Sequence, residues 1–176
     1  MMKVTRLLTV KGTMAGILLG MMPGANAADP VSISVTGNIV ASPCEIKSDS
    51  TNIVVDLGQS IQASALQKAG NATQWVPFDV NLINCPATTS NATIIFQGIP
   101  DSSNPVDMYA SSGTALNVAV QMQGMGGQSL GNGRSLTGAF ASNAYSFHLR
   151  ARAYTNTGYA TPGTIRTVVT AAITYQ

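Results

Sequence analysis

From Val31 to Ile39, apolar residues or glycine take every odd position (Val31, Ile33, Val35, Gly37, Ile39) and polar residues every even one (Ser32, Ser34, Thr36, Asn38). Alternation with period two predicts a β-strand that buries one face. The final residues repeat the pattern, with Ile165, Thr167, Val169, Ala171, Ile173 and Tyr175 on one face, so a core strand is predicted at the very end of the sequence. Between them lie shorter runs: 52–58 (NIVVDLG), 75–85 with Val76, Phe78, Val80 and Leu82 in phase, 92–98, 115–122 and 145–154. Only residues 63–69 suggest a short helical or irregular stretch, and no window holds an amphipathic helix longer than about two turns. With glycine and proline between the runs, an all-β antiparallel sandwich is the expected fold. Pro100 to Pro105 and Gly124 to Gly133 read as loops within one domain, the second as a β-hairpin connection.

On pattern alone, Val31 to Ile39 has two readings. It can complete its own sandwich as a first strand, or it can supply its apolar face to another molecule.

The first 27 residues differ from the rest. Lys3, Arg6 and Lys11 precede an apolar stretch from Thr13 to Met22, and Ala25-Asn26-Ala27 has the small-x-small pattern of a cleavage site. The apolar stretch is about half the roughly 20 residues that a membrane span requires. The expectation is a signal peptide over 1–27, cut after Ala27. Cleavage changes the electrostatics: three of the nine Lys and Arg residues leave, so six remain against seven Asp and Glu. A nearly neutral chain offers no basic patch for nucleic acid. The remaining 149 residues suit one domain. Cys44 and Cys85 are the only cysteines, and an exported chain in an oxidising compartment pairs them as a disulfide.

Reactive chemistry is scarce. His148 is the only histidine, and in Phe147-His148-Leu149 it falls on the polar face of a predicted strand. One histidine with bonded cysteines does not make the usual zinc site, so no metal is expected. The glycine-rich run 124–135 lacks the Lys-Ser/Thr of a phosphate loop and no helix pattern follows it, which leaves nucleotide binding and other cofactors without support. There is no Gly-x-Ser-x-Gly elbow, and Asp56 and Asp79 sit beside ordinary strands. The expected protein is not an enzyme. Arg150 and Arg152 share a strand face and, with Arg166, read as an outward polar surface, although a sugar- or protein-binding patch there fits the same residues.

Taken together in order, the alternating N-terminal segment, Ser42-Pro43-Cys44-Glu45-Ile46, Val54-Val55-Asp56-Leu57-Gly58, Leu82-Ile83-Asn84-Cys85-Pro86, Gly163 fourteenth from the end and penultimate Tyr175 resemble bacterial pilin subunits of the chaperone–usher pathway. Among these the sequence is most similar to minor tip-fibrillum subunits of type 1 pili, with Pro30 as an insertion. The resemblance spans nearly all of the chain after residue 27.

It implies an incomplete immunoglobulin-like sandwich whose missing strand comes from another subunit. The divisions it implies are a donor-strand extension over 28–42 and a pilin domain over 43–176. Val31, Ile33, Val35, Gly37 and Ile39 would enter a neighbour's groove, glycine where the pocket is shallow. Gly163, Ile165, Val169, Ile173, Tyr175 and Gln176 would form the strand beside this chain's own groove and meet a periplasmic chaperone. The implied partners are neighbouring subunits, that chaperone and an outer-membrane usher. The implied function is that of a structural subunit of a fimbrium on the bacterial surface, a minor or adaptor subunit in cell adhesion that polymerises by donor-strand exchange after export through the periplasm. The alternatives are a major shaft pilin and, of another class, a carbohydrate-binding adhesin module; family adhesins carry an additional N-terminal domain for which this chain has no room.

Overall fold

The computed structural model describes residues 32–140 and 142–176; the signal segment and Val31 lie outside the described residues. The chain divides into two units after Gly37. Of the first, residues 32–37 are described, and they are exposed and carry no secondary structure.

Among the described residues the second unit holds eight strands: β1 (Glu45–Ile46), β2 (Val76–Ile83), β3 (Asn91–Gly98), β4 (Met108–Ala110), β5 (Ala119–Gly124), β6 (Ser135–Ala139), β7 (Tyr145–Tyr154) and β8 (Val169–Tyr175). They form a five-stranded sheet in the order β1-β2-β7-β5-β4 and a three-stranded sheet in the order β6-β3-β8. Every pairing is antiparallel. One buried cluster joins the two sheets: Val80 and Leu82 of β2 and Phe147 and Leu149 of β7 pack with Ala92, Ile94 and Phe96 of β3. The alternation read from the sequence is the alternation buried. In β3 the even positions are buried and the odd ones half-exposed, except at its exposed or half-exposed end.

Cys44 and Cys85 are bonded, with Cα atoms 4.2 Å apart. The bridge pins the segment before β1 to the end of β2, and Tyr175 lies against the same part of the core. Burial raises the Tyr175 phenol above its ordinary range. The most deeply buried phenol is Tyr109 on β4, whose hydroxyl donates to the Leu130 carbonyl at 2.8 Å. Desolvation pushes its pKa strongly upward.

Three features depart from the pattern reading. Strands β1, β4 and β6 fall where no strand is read from the sequence. The glycine-rich run is not a simple hairpin. It turns back once, with Gln123 bridging Ser129, and then crosses from β5 in one sheet to β6 in the other. Gly127 (φ 85°) and Gly133 (φ 76°) take the left-handed conformations that this path requires. Finally, residues 52–58 run extended without being a strand, and β8 starts only at Val169 rather than at Thr164. Both shortfalls have one cause, which lies in the site.

Candidate functional site: an open groove between two sheet edges

β8 pairs with β3 on one edge, in register from Ala92 opposite Tyr175 to Gly98 opposite Val169. It is the last strand of its sheet, so its other edge has no strand partner among the described residues. Residues 52–58 face the same gap. A strand is a hydrogen-bonded ladder, and extended chain whose ladder partner is missing earns no strand assignment.

The gap is a groove of about 1320 Å³. Ile53, Leu57, Ile61 and Leu66 line it from the first half of the chain, and Ile165, Val169 and Ile173 from the last. Phe78, Val80, Tyr109, Val120, Met122 and Ala151 also face it, so it opens onto the hydrophobic core. Ile53, Leu57, Ile61, Ile165, Val169 and Ile173 are only half-buried, although each packs against a core cluster. Half-buried branched side chains beside unpaired backbone are what a sandwich shows when a strand is absent.

Side chains and turns hold the groove open. Asp56 accepts from the Gly58 N–H at 2.9 Å and from the Gln59 amide at 2.7 Å, and these bonds hold its carboxyl below the usual range. On the other side, residues 111–116 grip the start of the C-terminal segment: Ser112 N–H donates to the Arg166 carbonyl at 2.7 Å and Ala115 N–H to the Thr164 carbonyl at 3.1 Å. Gly163 makes that approach possible. A Cβ placed there would stand 2.4 Å from the Ala115 nitrogen and 2.7 Å from the Thr114 carbonyl carbon, both backbone atoms. Replacing Gly163 by Ala should therefore destabilise the domain by about 1–3 kcal/mol, since backbone rather than a flexible side chain must move. The midpoint of denaturant unfolding checks this.

Of the C-terminal residues singled out from the sequence, Ile165, Val169 and Ile173 come together along the groove. Tyr175 packs against the core, opposite Ala92 of β3. The Gln176 carbonyl oxygen accepts from Ser90 and Asn91 N–H groups at 2.8 and 2.9 Å, so it is engaged within the fold. At the other end of the chain, Ile33, Val35 and Ile39 are 81, 88 and 103% exposed. Gly37 has no atom within 4 Å of a built Cβ.

Two polar features lie away from the groove. His148 is exposed and its Nδ1 lies 2.8 Å from an Asp79 oxygen, directly across the β2–β7 ladder. Arg150 and Arg152 point from the same face of β7 toward Trp75, their guanidinium carbons 4.4 and 4.1 Å from its ring centre. Gln123 accepts from Arg150 and Gln121 from Arg152, and Gln121 in turn donates to the buried Asp107. Desolvation first, then the neighbouring Arg150 charge, lowers the Arg152 pKa, while Tyr154 and Asp107 act against the shift. The sequence pattern marks the arginines, but Trp75, Gln121, Gln123 and Asp107 join them only through sheet register.

The comparisons with known proteins agree with this architecture. The family model for fimbrial protein matches residues 33–176. The chain belongs to the fimbrial protein family. It is 35% identical to FimG of Escherichia coli K12 over 94% of this chain and 97% of that one. It is 34% identical to the S-fimbrial adhesin protein SfaS of Escherichia coli O6:K15:H31, over 86% and 88%. Among solved structures it shares the fold of the P pilus rod subunit PapA, with a TM-score of 0.65 at 22% identity, over 77% of this chain and all of that one. The P pilus adaptor subunit PapF superposes with a TM-score of 0.53 at 18% identity, over 79% and 100%. This fimbrial protein is thus a structural subunit of a surface pilus that assembles with other pilin subunits, and its sandwich is the incomplete immunoglobulin-like one.

Proposed function

We propose that the subunit polymerises by donor-strand exchange, with residues 31–39 filling the groove of one neighbour while its own groove takes the equivalent segment of another. The observation that carries the reading is the free edge of β8 beside an apolar groove, in a chain that also carries an exposed alternating segment. The two are matched in length. Ile165 to Ile173 presents five positions on one face, and so does Val31 to Ile39. Laid antiparallel, as every other pair in the fold is, Ile39 meets Ile165, Gly37 meets Thr167, Val35 meets Val169, Ile33 meets Ala171 and Val31 meets Ile173. Ile39 then approaches Leu57, Ile61, Leu66, Val118 and Ala160, the second apolar cluster. Exchange starts at this end, nearest the donor's body, and zips toward Val31.

The resemblance supports three further parts. The first 27 residues are a cleaved export signal, 28–42 is the extension and 43–176 is the pilin domain. A periplasmic chaperone covers the groove before an outer-membrane usher hands the subunit on. The protein is a non-enzymatic minor or adaptor subunit in adhesion rather than the major shaft pilin, a distinction that its copy number in isolated fibres tests.

The groove itself is tested with a peptide of residues 28–42. A chain trimmed to begin at Ala41 should aggregate alone and become a stable monomer when refolded with that peptide, while a peptide with Val35→Asp should not rescue it. A trimmed chain that stays monomeric and stable with no peptide would sink the proposal.

A further inference from the structure

One pole of the sandwich carries an exposed apolar pair that the groove does not use. Leu116 is 64% exposed and Tyr159 74% exposed. They sit on two loops that are bonded to each other: Asn117 donates its side-chain amide to the Tyr159 carbonyl at 3.2 Å, and Thr161 N–H donates to the Leu116 carbonyl at 3.2 Å. The Tyr159 N–H donates to the Gln67 carbonyl at 3.0 Å, which ties the same loop to the turn that carries Leu66. The backbone there is held against its preference. Asn117 (φ 59°) and Tyr159 (φ 55°) are both left-handed. Asparagine tolerates that conformation, but for a bulky side chain such as tyrosine it is strained. The Tyr159 ring is thus held mostly in solvent on strained backbone.

We propose that this pole is the seat for the body of the subunit whose extension fills the groove, a second copy of this chain being the occupant tested. The inference rests on the donor-strand reading and goes beyond it, since it concerns a contact outside the groove. With the donor strand antiparallel to β8, Ile39 ends beside Ile165, close to Thr161 and Leu116. Only Val40 to Pro43 separate Ile39 from the disulfide-anchored Cys44, and the five residue steps between them span at most about 18 Å when extended. The donor's body is therefore held within a short tether of the pole. Val40, 83% exposed, is the first donor residue to arrive there. Covering Leu116 and Tyr159 converts a flexible bead-on-string joint into one with a preferred angle, which gives the filament stiffness that the groove alone does not supply.

The test separates the two readings. An acceptor, the full mature chain with Val35→Asp and Ile39→Asp so that its own extension cannot donate, is filled either with a peptide of residues 28–39 or with a second copy whose extension is unsubstituted. Trp75 is the only tryptophan, so Trp75→Phe in the donor leaves the acceptor's unfolding in guanidinium as the sole indole signal. The acceptor filled by the whole copy should unfold about tenfold more slowly than the acceptor filled by peptide, from burial of the apolar pair. Combining Leu116→Ser with Tyr159→Gly should erase that difference. The same variant filled with peptide should unfold no faster than its parent, because glycine relieves the strained φ. Equal rates for peptide and whole copy in the parent, or a tenfold difference that survives the double variant, would overturn the proposed seat, as would a donor strand that enters parallel and places the body beside Ser90 and Gln176. Failure of the peptide to bind the parent would instead overturn the groove reading beneath it.

Discussion

A chain lacking residues 31–39 should still be captured by a chaperone, yet no longer be added behind another subunit, so that fibres in which it is the only available donor stop at that joint. The physical reason is the size of what is withdrawn. Val31, Ile33, Val35 and Ile39 contribute about 1.5–3 kcal/mol each on full burial, or roughly 6–12 kcal/mol together before ordering costs are subtracted. The ladder along β8 is lost with them. Val35→Asp is the sharper variant, because it keeps the length of the extension and puts a carboxylate opposite Val169 in an apolar groove, where no partner for it is available. Electron microscopy of fibres, together with co-purification of the variant with chaperone, reads both halves of the result. Normal fibre length from either variant would refute donation by this segment.

Opening the Cys44–Cys85 bridge should be the most damaging change within the domain. The cysteines are 41 positions apart, and on the chain-entropy model closing such a loop is worth about 3–4 kcal/mol, a large share of the stability of any single domain. The loss falls on a sandwich that is already short of a strand. The bridge also sets where the extension leaves the body, because Cys44 follows the tether directly and the segment after it leads through β1 into residues 52–58 beside the groove. Replacing both cysteines by serine should therefore lower the unfolding free energy of the peptide-filled domain by that amount and sharply reduce recovery of the subunit from cells. Denaturant unfolding of the peptide-filled double variant measures the first, and the yield of the chaperone complex the second. A loss below about 1 kcal/mol would mean that the unfolded chain is already compact across this loop.

Local order was legible wherever one element decided its own face. Val76 to Leu82, the 92–98 run and 145–154 alternate cleanly because each has one buried and one exposed side, and those are β2, β3 and β7. β1, β4 and β6 were not legible, and β1 is only two residues long. β4 is only three residues long, and two of them, Met108 and Tyr109, are buried in succession, so no alternation marks it. β6 reads Ser-Leu-Thr-Gly-Ala and presents a small-residue face because the Tyr145 ring lies where a Gly138 side chain would be. The crossing of residues 124–135 between sheets was hidden for another reason. Glycine permits a hairpin and a crossover equally, and only the sheet membership of β5 and β6 tells them apart.

The sequence by itself determined that the protein is an all-β chain with one disulfide, that its last strand is apolar on one face, and that a segment with the same alternation stands before the first cysteine. Those are properties of single segments, set by period-two alternation and by the type of each residue. Whether that leading strand belongs to its own sandwich could not be read, since the same alternation suits either side of the choice. The tertiary structure settled that, among the described residues, the outer edge of β8 has no strand partner, that residues 52–58 stand without a ladder, and that the loops carrying Leu116 and Tyr159 are bonded to each other. Each is a relation between segments distant in sequence, and it exists only once the two sheets have packed and left one edge open.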